Sequence, residues 1–225
     1  MSALPLTRPP ADSPTRPLIA IYADESCLGN GREGSNPGGA AGVIEYASLE
    51  TGSLTRWDYW ISEPGTTNNR MALRSAIEAF RNISRKGVKF RVTFTSDSQY
   101  LVKGMSEWVF GWMSRGWKKK DGPILNLELW IEAVEAVRAG GHQASWQWVR
   151  GHEGHPQNEY ANHLATRAAR EQTDSGGIVA SQFDEWLAAE RAKKRMAVEP
   201  QSFPDDAGFK ALRTYPIVRP PTIIT

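Results

Sequence analysis

Two aspartates that follow apolar runs are the residues of this sequence best suited to chemistry. Asp24 follows the run from Leu18 to Ala23, and Asp97 lies just beyond the run from Phe90 to Thr95. Ligand sites of open sheets lie at the carboxyl ends of the strands. Paired carboxylates at such a place suit divalent cations, which prefer oxygen ligands and activate water against a phosphodiester. Either aspartate alone would indicate only a turn.

Two other segments carry side chains that suit nucleic acid. Thr66-Thr67-Asn68-Asn69-Arg70 precedes a predicted helix, where backbone N–H groups bind phosphate or where the side chains simply cap the helix. Trp117 is followed by Lys118 to Lys120, and aromatic side chains beside cations suit a nucleic-acid backbone. The preceding Trp108 and Trp112 have helical spacing and are interpreted as core residues.

A loop with two histidines follows the last predicted strand. It runs from Trp148 to Glu159 and contains His152 and His155 on either side of a glycine. Histidine exchanges protons near neutral pH, so His152 is a candidate for proton transfer or for assisting product release. The alternative is a pair of ordinary surface histidines.

The elements that must position these residues have the order β-β-β-α-β-α-α-β-α. Three strands in a meander, followed by strands that alternate with helices, predict a mixed sheet covered by helices. The predicted strands are 18–23, 40–46, 54–61, 90–95 and 145–149, and the predicted helices are a first one after Met71 and then 99–112, 125–137 and 158–170.

Composition predicts one globular domain with two flanking segments. The chain has 225 residues and a net charge of +2. Residues 1–17 are predicted to be a disordered Pro-rich leader, and residues 18–170 the domain. Residues 171–225 are predicted to form a tail with one short helix, otherwise irregular, that buries little and is dispensable for folding.

The same composition excludes several classes of protein. No apolar run approaches the roughly 20 residues of a membrane span, and no secretory leader is evident. A single cysteine, Cys27, excludes a disulfide framework and fits a reducing compartment. We therefore expect a cytoplasmic monomer without a membrane partner.

Taken together, the motifs resemble type 1 ribonuclease H over about Ile19 to Ala169. The resemblance implies an α/β fold with a five-stranded mixed sheet, three strands antiparallel and then two parallel, flanked by helices. It implies an endonuclease that hydrolyses the RNA strand of RNA/DNA hybrids with Mg²⁺ or Mn²⁺. The motifs that carry it are Asp24 to Asn30, Thr66 to Met71, Ser96 to Tyr100, Gly116 to Lys118 and Trp148 to Glu159.

The resemblance also implies a set of four catalytic carboxylates, of which two are missing here. Asp24 matches the first and Asp97 the third, whereas the second falls on Ala72 and the fourth on Asn162. The implied metal ligands are therefore Asp24, Asp97 and the carbonyl of Asn162, with His152 assisting turnover. Either the two residues are introduced substitutions, or a natural branch of the family uses a replacement ligand.

Two glutamates are candidates for that replacement. Glu25 follows Asp24 directly, and because neighbouring residues of a strand point to opposite faces, it would need an irregular backbone to turn inward. Glu159 lies three residues before Asn162, on roughly the same helical face. The sequence does not choose between them.

The substrate contacts implied by the resemblance are more complete. Five residues are implied to line the minor groove of the hybrid, Thr67 to hold a DNA phosphate, and Trp117 with Lys118 to form a basic protrusion. With a depleted carboxylate set, two other functions stay open: a hybrid-binding module that no longer cuts, or a scaffold whose tail binds an unknown protein. The five groove residues are Cys27, Gly29, Asn30, Asn68 and Gln99.

Overall fold

The structure is a computed structural model that describes residues 16–29, 36–48, 50–85, 87–151 and 153–217. Its strands are β1 (Leu18–Cys27), β2 (Gly38–Ala47), β3 (Leu54–Glu63), β4 (Arg91–Ser96), β5 (Gln143–Trp148) and β6 (Val179–Ala180). Its helices are α1 (Asn68–Ser84), α2 (Gln99–Lys103), α3 (Val109–Ser114), α4 (Leu127–Ala139), α5 (Pro156–Glu171) and α6 (Phe183–Ala192). A π-helical segment, Gly104–Trp108, joins α2 to α3 within the predicted helix 99–112.

The strands form one mixed sheet in the order β5-β4-β1-β2-β3-β6. The β1–β2–β3 meander is antiparallel, while β4 pairs with β1 and β5 pairs with β4 in parallel. The predicted count of five strands is wrong, because β6 adds to the free edge of β3 through the pairs Trp57↔Ala180 and Asp58↔Val179. A strand of two residues is too short to show the alternation from which strands are predicted.

The two faces of the sheet pack against different helices. Ile19, Ile21 and Ala23 of β1 point into the larger core, which contains α1, α4 and the α2–α3 segment; we call this the α1 face. Ala20 and Tyr22 point to the other side and pack with α5; we call this the α5 face. The division follows from the alternation of side chains along a strand.

The first helix illustrates how local sequence sets the element boundaries. Its N-cap is Thr67, whose side chain accepts a hydrogen bond from the Arg70 N–H, as capping threonines do. Its buried stripe includes Met71, Leu73 and Phe80. Within the described part of the chain, neither this helix nor any other combines the length and the apolar character that crossing a membrane requires.

The tail buries more than its sequence predicts. Phe183 and Leu187 of α6, together with Met196, are buried on the α5 face. Tyr215, further along the tail, is buried in the core of the α1 face, and its hydroxyl donates to the Met105 carbonyl at 2.9 Å. The expected single helix is present as α6, but the expectation that the tail offers little to bury is not met. That residues 18–170 fold as an independent domain stays a prediction.

Candidate active site

The candidate site lies where β1 extends beyond the end of β4. The last pair of the two strands is Ala23↔Ser96, so Asp97 leaves β4 beside Asp24. Among the described residues, one carboxylate oxygen each of Asp24, Glu25 and Asp97 lie within 4.8 Å of one another; we call these residues the acidic cluster. The pairing of β1 with β2 stays regular through Glu25↔Ala40, so the irregular backbone predicted for Glu25 is not needed.

The surroundings of the acidic cluster disfavour the ionised forms of Asp24 and Glu25. Asp24 is 6% exposed, and burial, followed by the neighbouring Asp97 charge, raises its pKa to about 8. The Glu25 N–H and the Asn158 side chain donate to the Asp24 carboxylate at 2.6 and 3.2 Å and partly offset this rise in its pKa. Burial and the charges of Asp24 and Asp97 raise the pKa of Glu25 well above its ordinary value, although the Ser98 side chain stabilises the ionised form.

This arrangement fits a divalent cation. All three side chains offer hard oxygen ligands, the kind that Mg²⁺ and Mn²⁺ prefer. Their mutual repulsion is what a bound dication would relieve, and proton release from raised-pKa carboxylates would accompany binding.

The last residue of β5 and a glycine in the loop after it fix the surroundings of Asp97. The Trp148 indole N–H donates to the Asp97 carbonyl at 2.9 Å. A Cβ at Gly151 would lie 2.3 Å from Oδ2 of Asp97 and would push the carboxylate aside. The loop after β5 can therefore approach the acidic cluster this closely because residue 151 is a glycine.

The two helix positions at which the resemblance implies carboxylates behave differently. Ala72 is 0% exposed in the core of the α1 face and offers no ligand atom. Asn162 is partly buried, and its Oδ1 accepts from the Thr166 hydroxyl at 3.5 Å. Its predicted role as a metal ligand stays a prediction. Glu159 is near enough for its charge to raise the pKa of Asp24, but it is not part of the acidic cluster.

The residue that α5 brings to Asp24 is Asn158, which is not among the predicted site residues. His155 caps α5, and its Nδ1 accepts from the Asn158 N–H at 3.3 Å. Asn158 is buried, and its side-chain amide donates to Asp24 and to the Ala23 carbonyl. The signal available in the sequence is Pro156, since proline favours the first position of a helix and so places Asn158 in its first turn.

The structure describes several of the predicted substrate residues, whose roles stay predictions. Thr67 is exposed at the start of α1, and Oδ1 of the next residue, Asn68, is buried without a hydrogen-bond partner in the described structure. Gln99 is exposed at the start of α2 and accepts from the Lys103 ammonium at 3.0 Å. Cys27 donates to the Thr66 carbonyl at 3.3 Å, and burial raises the pKa of its thiol.

The structure buries Trp117, and its predicted contact with substrate stays a prediction. Its side chain is 4% exposed and belongs to the core of the α1 face, because a large aromatic ring gains more from burial than its charged neighbours do. Lys118 is exposed, and Gly29 has the positive φ of 82° that glycine adopts readily. Two predicted site residues, Asn30 and His152, lie outside the described residues.

Comparison with known proteins gives a consistent result. Residues 16–170 match the sequence model of the RNase H family. The chain is 43% identical over 173 residues to a ribonuclease H of Pelobacter propionicus (76% of this chain, 97% of that protein). It is 41% identical over 156 residues to the ribonuclease HI of Caulobacter vibrioides (69% and 95%). The crystal structure of LC9-RNase H1, described as a type 1 RNase H with the type 2 active-site motif, is 58% identical, with a TM-score of 0.83 and coverage of 92% of this chain and 99% of that one.

Proposed function

This chain belongs to the ribonuclease H family, and on that premise we propose that it is an endoribonuclease that cleaves the RNA strand of RNA/DNA hybrids by metal-dependent hydrolysis. The observation that carries the proposal is the acidic cluster of Asp24, Glu25 and Asp97. Two carboxylates of the family pattern are replaced by Ala72 and Asn162, and the cluster supplies a third carboxylate from a new position.

Glu25 is the proposed replacement ligand. It lies two residues after Ala23 on β1 and hence on the α1 face, the face on which Ala72 is buried. A strand residue would then supply the carboxylate that other members take from α1. The description of LC9-RNase H1 supports a natural branch rather than introduced changes, because that 58% identical protein also has an active-site motif unlike that of its own type.

In the proposed site, Asp24, Glu25 and Asp97 hold Mg²⁺ or Mn²⁺. A bound cation supplies Lewis-acid stabilisation of the phosphate and lowers the pKa of a coordinated water. Asn158 and the Glu25 N–H orient the Asp24 carboxylate, and the Trp148 indole holds the Asp97 backbone. Asn162 and His152 keep their implied roles as a neutral ligand and an aid to turnover.

The proposed hybrid surface lies around this cluster. The first turn of α1 presents Thr67 and free N–H groups to a DNA phosphate. The unpartnered Oδ1 of Asn68 suits a hydrogen bond from a base edge or a ribose 2′-hydroxyl. Cys27, Gly29, Asn30 and Gln99 complete the groove, and Lys118 contributes a cation.

The proposed enzyme acts as a cytoplasmic monomer. The one cysteine, Cys27, is a free thiol, which fits a reducing compartment. Size-exclusion chromatography at assay concentration tests the monomer.

A cleavage assay on a labelled RNA/DNA hybrid tests the function. The parent protein, Glu25→Gln and Glu50→Gln are compared with Mg²⁺, with Mn²⁺ and with chelator. Glu25→Gln should cut about 100-fold more slowly or worse, corresponding to roughly 3 kcal/mol of lost transition-state stabilisation. Glu50 is exposed in the turn between β2 and β3, at the other end of the sheet, so Glu50→Gln should match the parent.

The other outcomes of the cleavage assay would each support an alternative function or an alternative ligand. A parent protein that binds the hybrid in a gel-shift assay but never cuts it would be the hybrid-binding module instead. Equal cleavage by Glu25→Gln and the parent would eliminate Glu25 as the replacement ligand and leave Glu159 to be tested in the same way.

A further inference from the structure

The tail is anchored next to the candidate site by a buried glutamine. Gln157, in the first turn of α5, is fully buried. Its Nε2 donates to the backbone carbonyl of Gln201 at 2.8 Å, and its Oε1 accepts the backbone N–H of Gln201 at 3.0 Å. Because a buried amide needs both partners, this two-point contact fixes residue 201 against the start of α5.

The side chain of Gln201 then reaches the cap of α5. Its Oε1 lies 2.7 Å from Nε2 of His155. Nδ1 of the same ring accepts the Asn158 N–H, and a neutral imidazole has one acceptor nitrogen and one N–H. The proton is therefore on Nε2, which donates to Gln201. The glutamine oxygen thus selects the His155 tautomer that caps α5.

The hydrogen bonds continue from the cap to the acidic cluster. His155 holds the backbone of Asn158, whose side chain donates to Oδ2 of Asp24 at 3.2 Å. We propose that Gln201 is a positioning residue of the active site, which sets the orientation of Asp24 through His155 and Asn158. The effect on catalysis rests on the function proposed above, whereas the effect on the His155 tautomer does not.

The first test is Gln201→Ala in the full chain, which removes the side-chain contact and keeps the backbone contact with Gln157. Nitrogen-15 NMR of metal-free protein should show His155 changing from one tautomer to a mixture. The kcat for hybrid cleavage should fall about threefold to tenfold at unchanged KM, on the scale of one net hydrogen bond. Gln201→Glu keeps an acceptor and should preserve the tautomer. The matched control, Gln143→Ala, alters an exposed glutamine at the opposite end of the sheet.

The second test separates positioning from general stabilisation by the tail. His155→Asn retains a capping side chain but cannot continue the chain of hydrogen bonds to Gln201. In that background, Gln201→Ala should leave kcat unchanged, because contacts that act through one residue are not additive. An equal loss of kcat in both backgrounds, or unchanged His155 nitrogen shifts in Gln201→Ala, would overturn the proposal. If the parent does not cleave, the proposed function fails, and the NMR measurement still decides the role of Gln201.

Discussion

The α1 face of the sheet is covered almost entirely from within residues 68–139, whereas the α5 face depends on the tail. Among the described residues of the tail, Tyr215 is the one buried hydrophobic side chain in the core of the α1 face. On the α5 face, Phe183, Leu187 and Met196 are three of the ten buried core residues found in the described part of the chain. The difference indicates that the helices of the family domain complete one core by themselves and leave the other incomplete.

The faces also differ in how they supply the acidic cluster. On the α1 face the helix position is the apolar Ala72, and the strand residue Glu25 brings a carboxyl group to the cluster. On the α5 face Asp24 is held by Asn158, which is linked through His155 to the tail. The carboxylate on the α5 face, Asp24, is therefore oriented by a chain of side-chain hydrogen bonds. The carboxylate on the α1 face, Glu25, has fewer polar contacts.

Removal of the tail should have the largest effect on stability, because it exposes the core of the α5 face. Burial of one large apolar side chain contributes about 1.5–3 kcal/mol. The loss of Phe183, Leu187, Met196 and Tyr215 together approaches the ~5–15 kcal/mol that an ordinary domain has in total. A chain ending at Arg170 should therefore lose cooperative melting, as measured by near-UV circular dichroism. Cooperative melting near the parent temperature would show that the α5 face is self-sufficient.

Point substitutions in the tail sharpen the same comparison. Phe183→Ala should lower the free energy of unfolding by about 3–5 kcal/mol, as large-to-small core changes do. Ile217 is 84% exposed, so Ile217→Ala should change it by less than about 0.5 kcal/mol.

The next largest effect on the free energy of unfolding is expected for Asp24→Asn in the metal-free protein. The folded-state pKa of Asp24, about 8, lies above the ordinary 3.8, so the folded protein retains a proton that the unfolded chain releases. The contribution of Asp24 to stability is therefore complete below about pH 4 and is lost as the pH rises towards 8. In urea titrations with chelator, Asp24→Asn should stabilise the protein at pH 8 by on the order of 1–3 kcal/mol, since one pKa unit corresponds to about 1.4 kcal/mol.

The exposed Asp121 provides the matched control. Asp121→Asn should change the free energy of unfolding at pH 8 by less than about 0.5 kcal/mol, as surface substitutions usually do. If Asp24→Asn destabilises the metal-free protein at pH 8, Asp24 is not repelled by its neighbours.

An effect of similar size and opposite sign is expected on the α1 face from Ala72→Glu. A carboxylate at this fully buried position should lower the free energy of unfolding by about 1–3 kcal/mol. The cleavage rate should not rise, because Glu25 already supplies the charge on this face. A large increase in rate would show that the α1 face had lost its ligand without replacement.

Asn162→Asp should have the smallest effect. The side chain is partly exposed, so stability should change by less than about 0.5 kcal/mol. The cleavage rate should change less than it does in Glu25→Gln. An increase of more than about tenfold, or roughly 1.4 kcal/mol, would show that the α5 face lacks a charge that catalysis needs.

Most of the fold could be predicted from the sequence because its main strands and helices carry clear patterns. Asp24 and Asp97 were predictable because each follows an apolar run with the pattern of a strand. The sixth strand was not, since two residues show no periodicity. The burial of Trp117 was not predictable, because the three lysines that follow it indicate an exposed segment.

The missing parts of the site depend on contacts that local sequence does not encode. Glu25 joins the acidic cluster because β4 ends opposite Ala23, a register that depends on the folded sheet. The contact of Gln201 with His155 joins residues 46 positions apart. The sequence therefore leaves Glu25 as one of two candidates, and it carries no signal for the contact of Gln201 with His155.

The tail touches both edges of the sheet, and this has a consequence for how the protein is made. It pairs with β3 through β6, and the Leu212 N–H donates to the Ala144 carbonyl of β5 at 3.0 Å. A ribosome that has just completed α5 needs several more seconds to add the remaining residues to Tyr215, at about 5–20 residues per second. During that time the nascent chain displays two unpaired strand edges, which are templates for association with other chains. Chaperone dependence should therefore be greatest late in translation, and slow codons within the tail should lower the yield of soluble protein.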